Sequence, residues 1–139
     1  MSTKKWSIRS VLRAHLTQIT DLPPVSWENI VFTPPKDGSG NDLPYIRETL
    51  LPADEILSAN NERTGIGIYQ LDLFVPIGYS ISTAENLADE IKQHFRPAQS
   101  LSGLQIERSA VGQGNEDPPW YWIPISIDYR AHQQNLQPA

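Results

Sequence analysis

A chain of 139 residues with 39% hydrophobic content is long enough to bury one modest core and too short for two independent ones. Lys and Arg total 11 against 16 Asp and Glu, and the net charge of -5 argues against a protein whose main task is to hold nucleic acid. The absence of cysteine removes disulfides, thiolate catalysis and thiol-based metal sites together. No apolar run approaches the roughly 18 residues of a membrane span. The opening MSTKKWSIRS also lacks the apolar stretch of a secretory signal, so the expectation is an intracellular soluble product.

In chain order, Ile8, Val11, Leu12, Leu16 and Ile19 recur at helical spacing, with Arg9, Arg13 and Gln18 off that stripe. The pattern predicts an amphipathic helix over 7–20, stopped by DLPP at 21–24. Lys4, Lys5, Arg9 and Arg13 all precede the first acid, Asp21, and read as a solvated basic face rather than a specific anion site. NIVFT at 29–33 suits a strand ended by Pro34 and Pro35, KDGSGND at 36–42 is turn chemistry, and YIRETLL at 45–51 predicts a second strand paired with the first.

PADEILSANNERTG at 52–65 has no clean period and is expected to be a loop, mobile or ordered by a partner. IGIYQLDLFVP at 66–76 alternates with apolar residues on both faces, as a central or doubly covered strand does. Ser82 with Glu85 three residues on reads as a capping box opening a second helix, whose buried stripe is Ala84, Leu87, Ala88, Ile91 and Phe95. A strand near Leu104–Arg108 follows, then the loop VGQGNEDPP at 111–119 and the strand WYWIPISIDYR at 120–130. In that last strand Tyr121, Ile123, Ile125, Ile127 and Tyr129 form one face. The other carries Trp120, Trp122, Pro124, Ser126, Asp128 and Arg130, so two tryptophans stand where water is expected.

Strands cluster instead of alternating with helices, which predicts an α+β fold: a mostly antiparallel mixed sheet of about five strands with two helices on one face. The expected organisation is a single domain over 1–132 and a disordered tail, QQNLQPA, over 133–139. Two helices cannot cover two sheet faces, so the Trp122 face is left for another surface.

No catalytic site emerges. His15, His94 and His132 have no metal-ligand spacing, and His15 and His94 read as structural residues of their helices. GIG at 65–67 is followed by no helix that would bind a phosphate, and GYS at 78–80 is no nucleophile elbow. Glu85, Asp89 and Glu90 read as solvated helix acids, and Asp54, Glu55 and Glu62 lack the spacing of a calcium loop. No cofactor or metal is expected; the aromatic second face and the long loops are features of an interaction surface.

Taken together and in this order, VSWENIVFTPP, PYIRETLLPA, RTGIGIYQLDLFVPIGYS, AENLADEIKQHF and WYWIPISIDYRAH resemble the tail terminator proteins of long-tailed bacteriophages, in a branch similar to the lambda minor tail protein U. The resemblance spans roughly residues 7–132. It implies a non-enzymatic virion protein, assembled in the host cytoplasm into a ring, usually a hexamer, at the head-proximal end of the tail tube. There it would stop tube polymerisation and offer a face to the head connector, with DNA passing through the lumen and no specific nucleic-acid or membrane binding. On that reading Trp120, Trp122, Pro124, Asp128 and Arg130 are candidates for the assembly interface, with Pro124 blunting an edge strand or marking a bulge. Asp54, Glu55, Glu62 and Arg63 form either a lumen-facing loop that repels DNA or a clasp between subunits. A connector or head-completion protein of the same machinery is the alternative, and a small-molecule pocket at Trp120 and Trp122 in a stable monomer is the reading from a different class.

Overall fold

The computed structural model describes residues 4–52, 56–57 and 63–132. Helix α1 (Lys4–Leu16) buries Ile8, Val11, Leu12 and Leu16, the stripe its periodicity marks. Past its end the chain tightens through three-residue bonds from Gln18 N to His15 O and Ile19 N to Leu16 O (both 3.2 Å), and Asp21 at φ +59° ends the run. Strands β1 (Val25–Ser26) and β2 (Tyr45–Pro52) follow, then β3 (Ile56–Leu57) and the long β4 (Arg63–Pro76). Helix α2 (Ile81–His94) precedes β5 (Ser100–Leu101), β6 (Leu104–Val111), β7 (Asn115–Asp117) and β8 (Trp120–His132).

The sheet runs in the order β1-β2-β4-β8-β6-β5, with β3 pairing β4 and β7 pairing β8 off that path. Among the described residues β1 and β2 pair in parallel and the other named pairings are antiparallel. The α+β architecture is therefore as the pattern predicts, with more strands than about five. The excess is in β1, β3, β5 and β7, pieces of two or three residues too short to show an alternation; β3, β5 and β7 fold back on the strand that follows them, and β1 alone pairs with a strand distant in sequence.

Leu71 faces Ile125 across β4 and β8, Leu73 faces Ile123, and Ile46 of β2 faces Leu73. These residues join Tyr69, Ile106, Ile127 and Tyr129 with α1 and with Ala84, Ala88 and Ile91 of α2 in one buried cluster, so both helices lie over the same sheet face. Gly67 stands opposite Tyr129, where a Cβ would meet the Tyr129 hydroxyl at 2.6 Å and the Leu51 carbonyl oxygen at 2.7 Å.

A buried acid fixes α1 to the sheet. Glu48 is 1% exposed, and its carboxylate accepts from Arg13 Nε (2.8 Å), Arg13 Nη2 (2.6 Å), Tyr69 Oη (2.5 Å) and the Glu28 amide (3.1 Å). Burial alone would raise its pKa; the Arg13 and Tyr69 hydrogen bonds outweigh that and hold it below the usual carboxylate range. The Tyr69 hydroxyl is pushed far above the phenol range, first by burial and then by the adjacent carboxylate.

Further expectations are corrected. The segment 52–65, expected to be a loop, holds β3 and the first residues of β4, which pair with each other. NIVFT at 29–33 is not a strand: Asn29 has φ +64°, Ile30 N bonds back to Trp27 O at 3.1 Å, and β2 pairs with β1 and β4 instead. Helix α2 is capped by Ser80, whose hydroxyl accepts from Thr83 N at 3.3 Å, so Ser82 lies inside the first turn. The loop at 111–119 contains β7, which continues the ladder along β8. Residues 133–139 lie outside the described residues.

Candidate functional site

The face of the sheet turned away from the helices is built from the alternate residues of β2, β4 and β8. Tyr45, Phe74 and Trp122 are successive cross-strand partners on it. The Tyr45 and Phe74 rings stack at 4.9 Å and 4°, and Phe74 and Trp122 stack at 6.1 Å and 24°. Trp120 sets its ring edge against Tyr45 at 5.1 Å, and Phe32, from the irregular segment before β2, covers Tyr45 at 5.2 Å. The two tryptophans thus pack first on their own sheet. Both remain half-buried, whereas Phe74 beneath them is 5% exposed. Burial raises the Tyr45 pKa, Arg47 opposing it, so the hydroxyl stays neutral at physiological pH.

Arg47 lies 4.9 Å over the Phe74 ring and donates to Asp72 Oδ2 at 3.1 Å, while Gln70 Nε2 donates to Asp72 Oδ1 at 3.0 Å. Asp72, only 2% exposed, therefore has both oxygens engaged and serves the aromatic patch as a polar seat.

Pro124 pairs with Asp72 in register. Strand β8 lies between β4 and β6, so Pro124 is not on an edge strand as one expectation had it. The ring is accommodated where β6 has ended: the Gly112 amide donates to the Pro124 carbonyl at 2.8 Å, and the chain bows away before rejoining β8 as β7. A residue's N–H and C=O point to the same side of a strand, so the missing amide hydrogen faces this gap and costs no bond to β4.

Asp128 and Arg130 occupy the far end of the same face, roughly 20 Å and 26 Å along the strand from Trp122. Arg130 Nε donates to Glu107 Oε1 at 2.9 Å, Glu107 sitting in the register shift of β6. Together with Ile66, Gly67 and Ile68 they line a shallow depression of about 300 Å3. The sequence candidates on β8 thus share one face but form two groups: an aromatic end and a charged end. Arg63 begins β4 opposite Leu57, while Asp54, Glu55 and Glu62 lie outside the described residues.

Beyond the aromatic end, the turn from β4 to α2 exposes Ile77 (51%), Tyr79 (37%) and Ile81 (46%), and Val31 is 98% exposed. Sequence reasoning did not single these out, although IGYSI between a strand and a cap is an apolar turn where polar residues are the norm. Asp72 and Arg47 were also passed over; their signal is a charge at the centre of each alternating strand. Among the described residues no group of His, Asp and Glu is arranged to hold a metal ion, and no helix is long and apolar enough to cross a membrane.

A family model described as phage tail terminator protein matches residues 7–129. A solved structure is similar with a TM-score of 0.68 and 28% sequence identity, covering 94% of this chain and 96% of that one. No curated protein matches the sequence.

Proposed function

The chain belongs to the phage tail terminator family, and from that membership we propose that it assembles as a ring, six copies closing on themselves, at the head-proximal end of the tail tube. There it stops addition of further tube protein and presents its opposite side to the head connector. The observation that carries this reading is the family match across residues 7–129, which spans nearly all of both helices and the whole sheet up to Tyr129. The family is one of structural components of the phage tail, so the protein acts by binding and not by turnover.

The free sheet face supports the ring. It is apolar at one end and charged at the other, with the half-buried Trp120 and Trp122 available to a neighbour or to the tube; large aromatics contribute disproportionately to such contacts. Asp128 and Arg130 supply the polar end of the same surface. A single domain over 1–132 is the repeating unit, and the net charge of -5 suits a channel through which DNA passes without adhering. Asp54, Glu55, Glu62 and Arg63 then face the lumen or clasp the adjacent subunit. Reversing the three acids to lysine distinguishes these: tails of normal length that eject DNA poorly place the loop in the lumen, and rings that fail to form make it a clasp.

The reading is tested with purified tail tube protein polymerising in the presence of this chain. Tubes capped at one end and arrested in growth are expected; unaltered growth at saturating protein contradicts it.

A further inference from the structure

His15 and His94 stand at the C-terminal ends of α1 and α2 and meet face to face, ring centroids 3.9 Å apart and 18° from parallel. Each ring reaches the other residue's backbone: His15 Nε2 is 2.7 Å from His94 O, and His94 Nε2 is 2.6 Å from His15 O. A carbonyl oxygen only accepts, so both Nε2 atoms carry hydrogen. The last carbonyls of a helix lack intrahelical partners. Each imidazole thus ties the end of the other helix: His15 Nε2 bonds His94 O, and His94 Nε2 adds to the Gln18 amide, which donates to His15 O at 3.2 Å; Phe95 packs T-shaped against both imidazoles, at 4.8 and 5.6 Å.

We propose that this reciprocal pair is an acid-sensitive clasp holding the C-terminal ends of the two helices together. With both rings neutral, the stack and the two hydrogen bonds are compatible. With both protonated, two like charges stand 3.9 Å apart in a site where His15 is 8% exposed, and the rings must separate, releasing both contacts between the helix ends. The surrounding charges do not compensate. Arg96, just past α2, adds a further positive charge near His15; Glu90, one turn before His94, lines the same surface depression as His94 and Gln18 but forms no ion pair with either imidazole; Tyr69 is beyond Phe95. Arg13, one turn earlier on α1, is committed to Glu48.

Burial, together with the charges of His94 and Arg96, lowers the His15 pKa despite the bond to the His94 carbonyl. The unfolded chain therefore takes up a proton at a higher pH than the folded one. The stabilisation is complete above the ordinary imidazole value of 6.5 and is lost as pH falls through and below it.

The inference stands independently of the terminator reading. It is tested by thermal unfolding of the full chain at pH 7.5 and 5.5, for the wild type, for a His132→Gln control and for His15→Gln/His94→Gln, which keeps an N–H donor at each position without a titrating ring. The wild type and the control are expected to lose about 4 °C between the two pH values, and the double variant less than half of that. An equal loss in the double variant overturns the clasp. Should the double variant not fold, the histidine proton NMR titration of the wild type decides: His15 titrating at or above 6.5 overturns it, and titration below supports it.

Discussion

Glu48 sits on the inward side of β2 between Ile46 and Leu50, where an apolar residue is the rule. It is tolerable there because two arginines on α1 and the Tyr69 hydroxyl converge on it, so the acid fixes α1 in position. Glu48→Ala leaves Arg13 and Tyr69 facing an apolar gap and should cost about 3 kcal/mol in urea unfolding at pH 7; a loss below about 1 kcal/mol would make the network a surface pair. Because the folded carboxylate is held below its ordinary value of 4.5, its contribution is complete above that pH and disappears as pH falls through the lower folded value. The wild type should therefore lose stability more steeply below pH 4.5 than the alanine variant. The acid was visible in YIRETLL as a charge on an apolar alternation, but its partners were not, since Arg13 is 35 residues away. Trp122 was legible in another sense: alternation placed it on the outer face, while only the fold shows it stacked on Phe74. Trp122→Ala should cost about 2 kcal/mol of monomer stability, less than a fully buried tryptophan, and leave the circular dichroism of the fold intact.

Periodicity locates the long elements and is weaker at their ends. The stripe of α2 was readable, yet its start was not, because Ser82 with Glu85 and Ser80 with Thr83 both offer a hydroxyl three residues before an amide. The structure decides for Ser80. Ser80→Ala should lower stability by about 1 kcal/mol, and Ser82→Ala should stay within about 0.5 kcal/mol of the wild type; the reverse ranking would return the cap to Ser82. NIVFT failed as a strand because its apolar residues do not alternate between a core and water: Ile30 and Val31 are 62% and 98% exposed, and the chain turns at Asn29. The first residues of β4, 63–65, fell in the segment expected to be a loop, but the bodies of β4 and β8 were read in place, 66–76 and 120–130, and the two strands pair from Thr64 opposite His132 to Pro76 opposite Trp120. Their close approach depends on Gly67. Gly67→Ala drives a methyl into the Leu51 carbonyl and the Tyr129 hydroxyl, and should destabilise by about 2 kcal/mol in the same unfolding assay.

At the scale of the molecule, the two sheet faces divide the work. One is closed by α1 and α2 over a single cluster and gives the fold its stability. The other has its own aromatic seat and, among the described residues, no helix above it; it is the surface proposed for contact with a neighbouring subunit or the tube. That division was legible from two helices and one doubly apolar strand. The strand order was not, because β1 pairs in parallel over two residues and β8 enters between β4 and β6, choices made by tertiary contacts. The most direct test of the terminator account is the length distribution of tails, by negative-stain electron microscopy, from a phage lacking this protein, before and after adding the purified chain. Overlong tails restored to a single length are the predicted result. Tails of normal length without the protein would contradict the account.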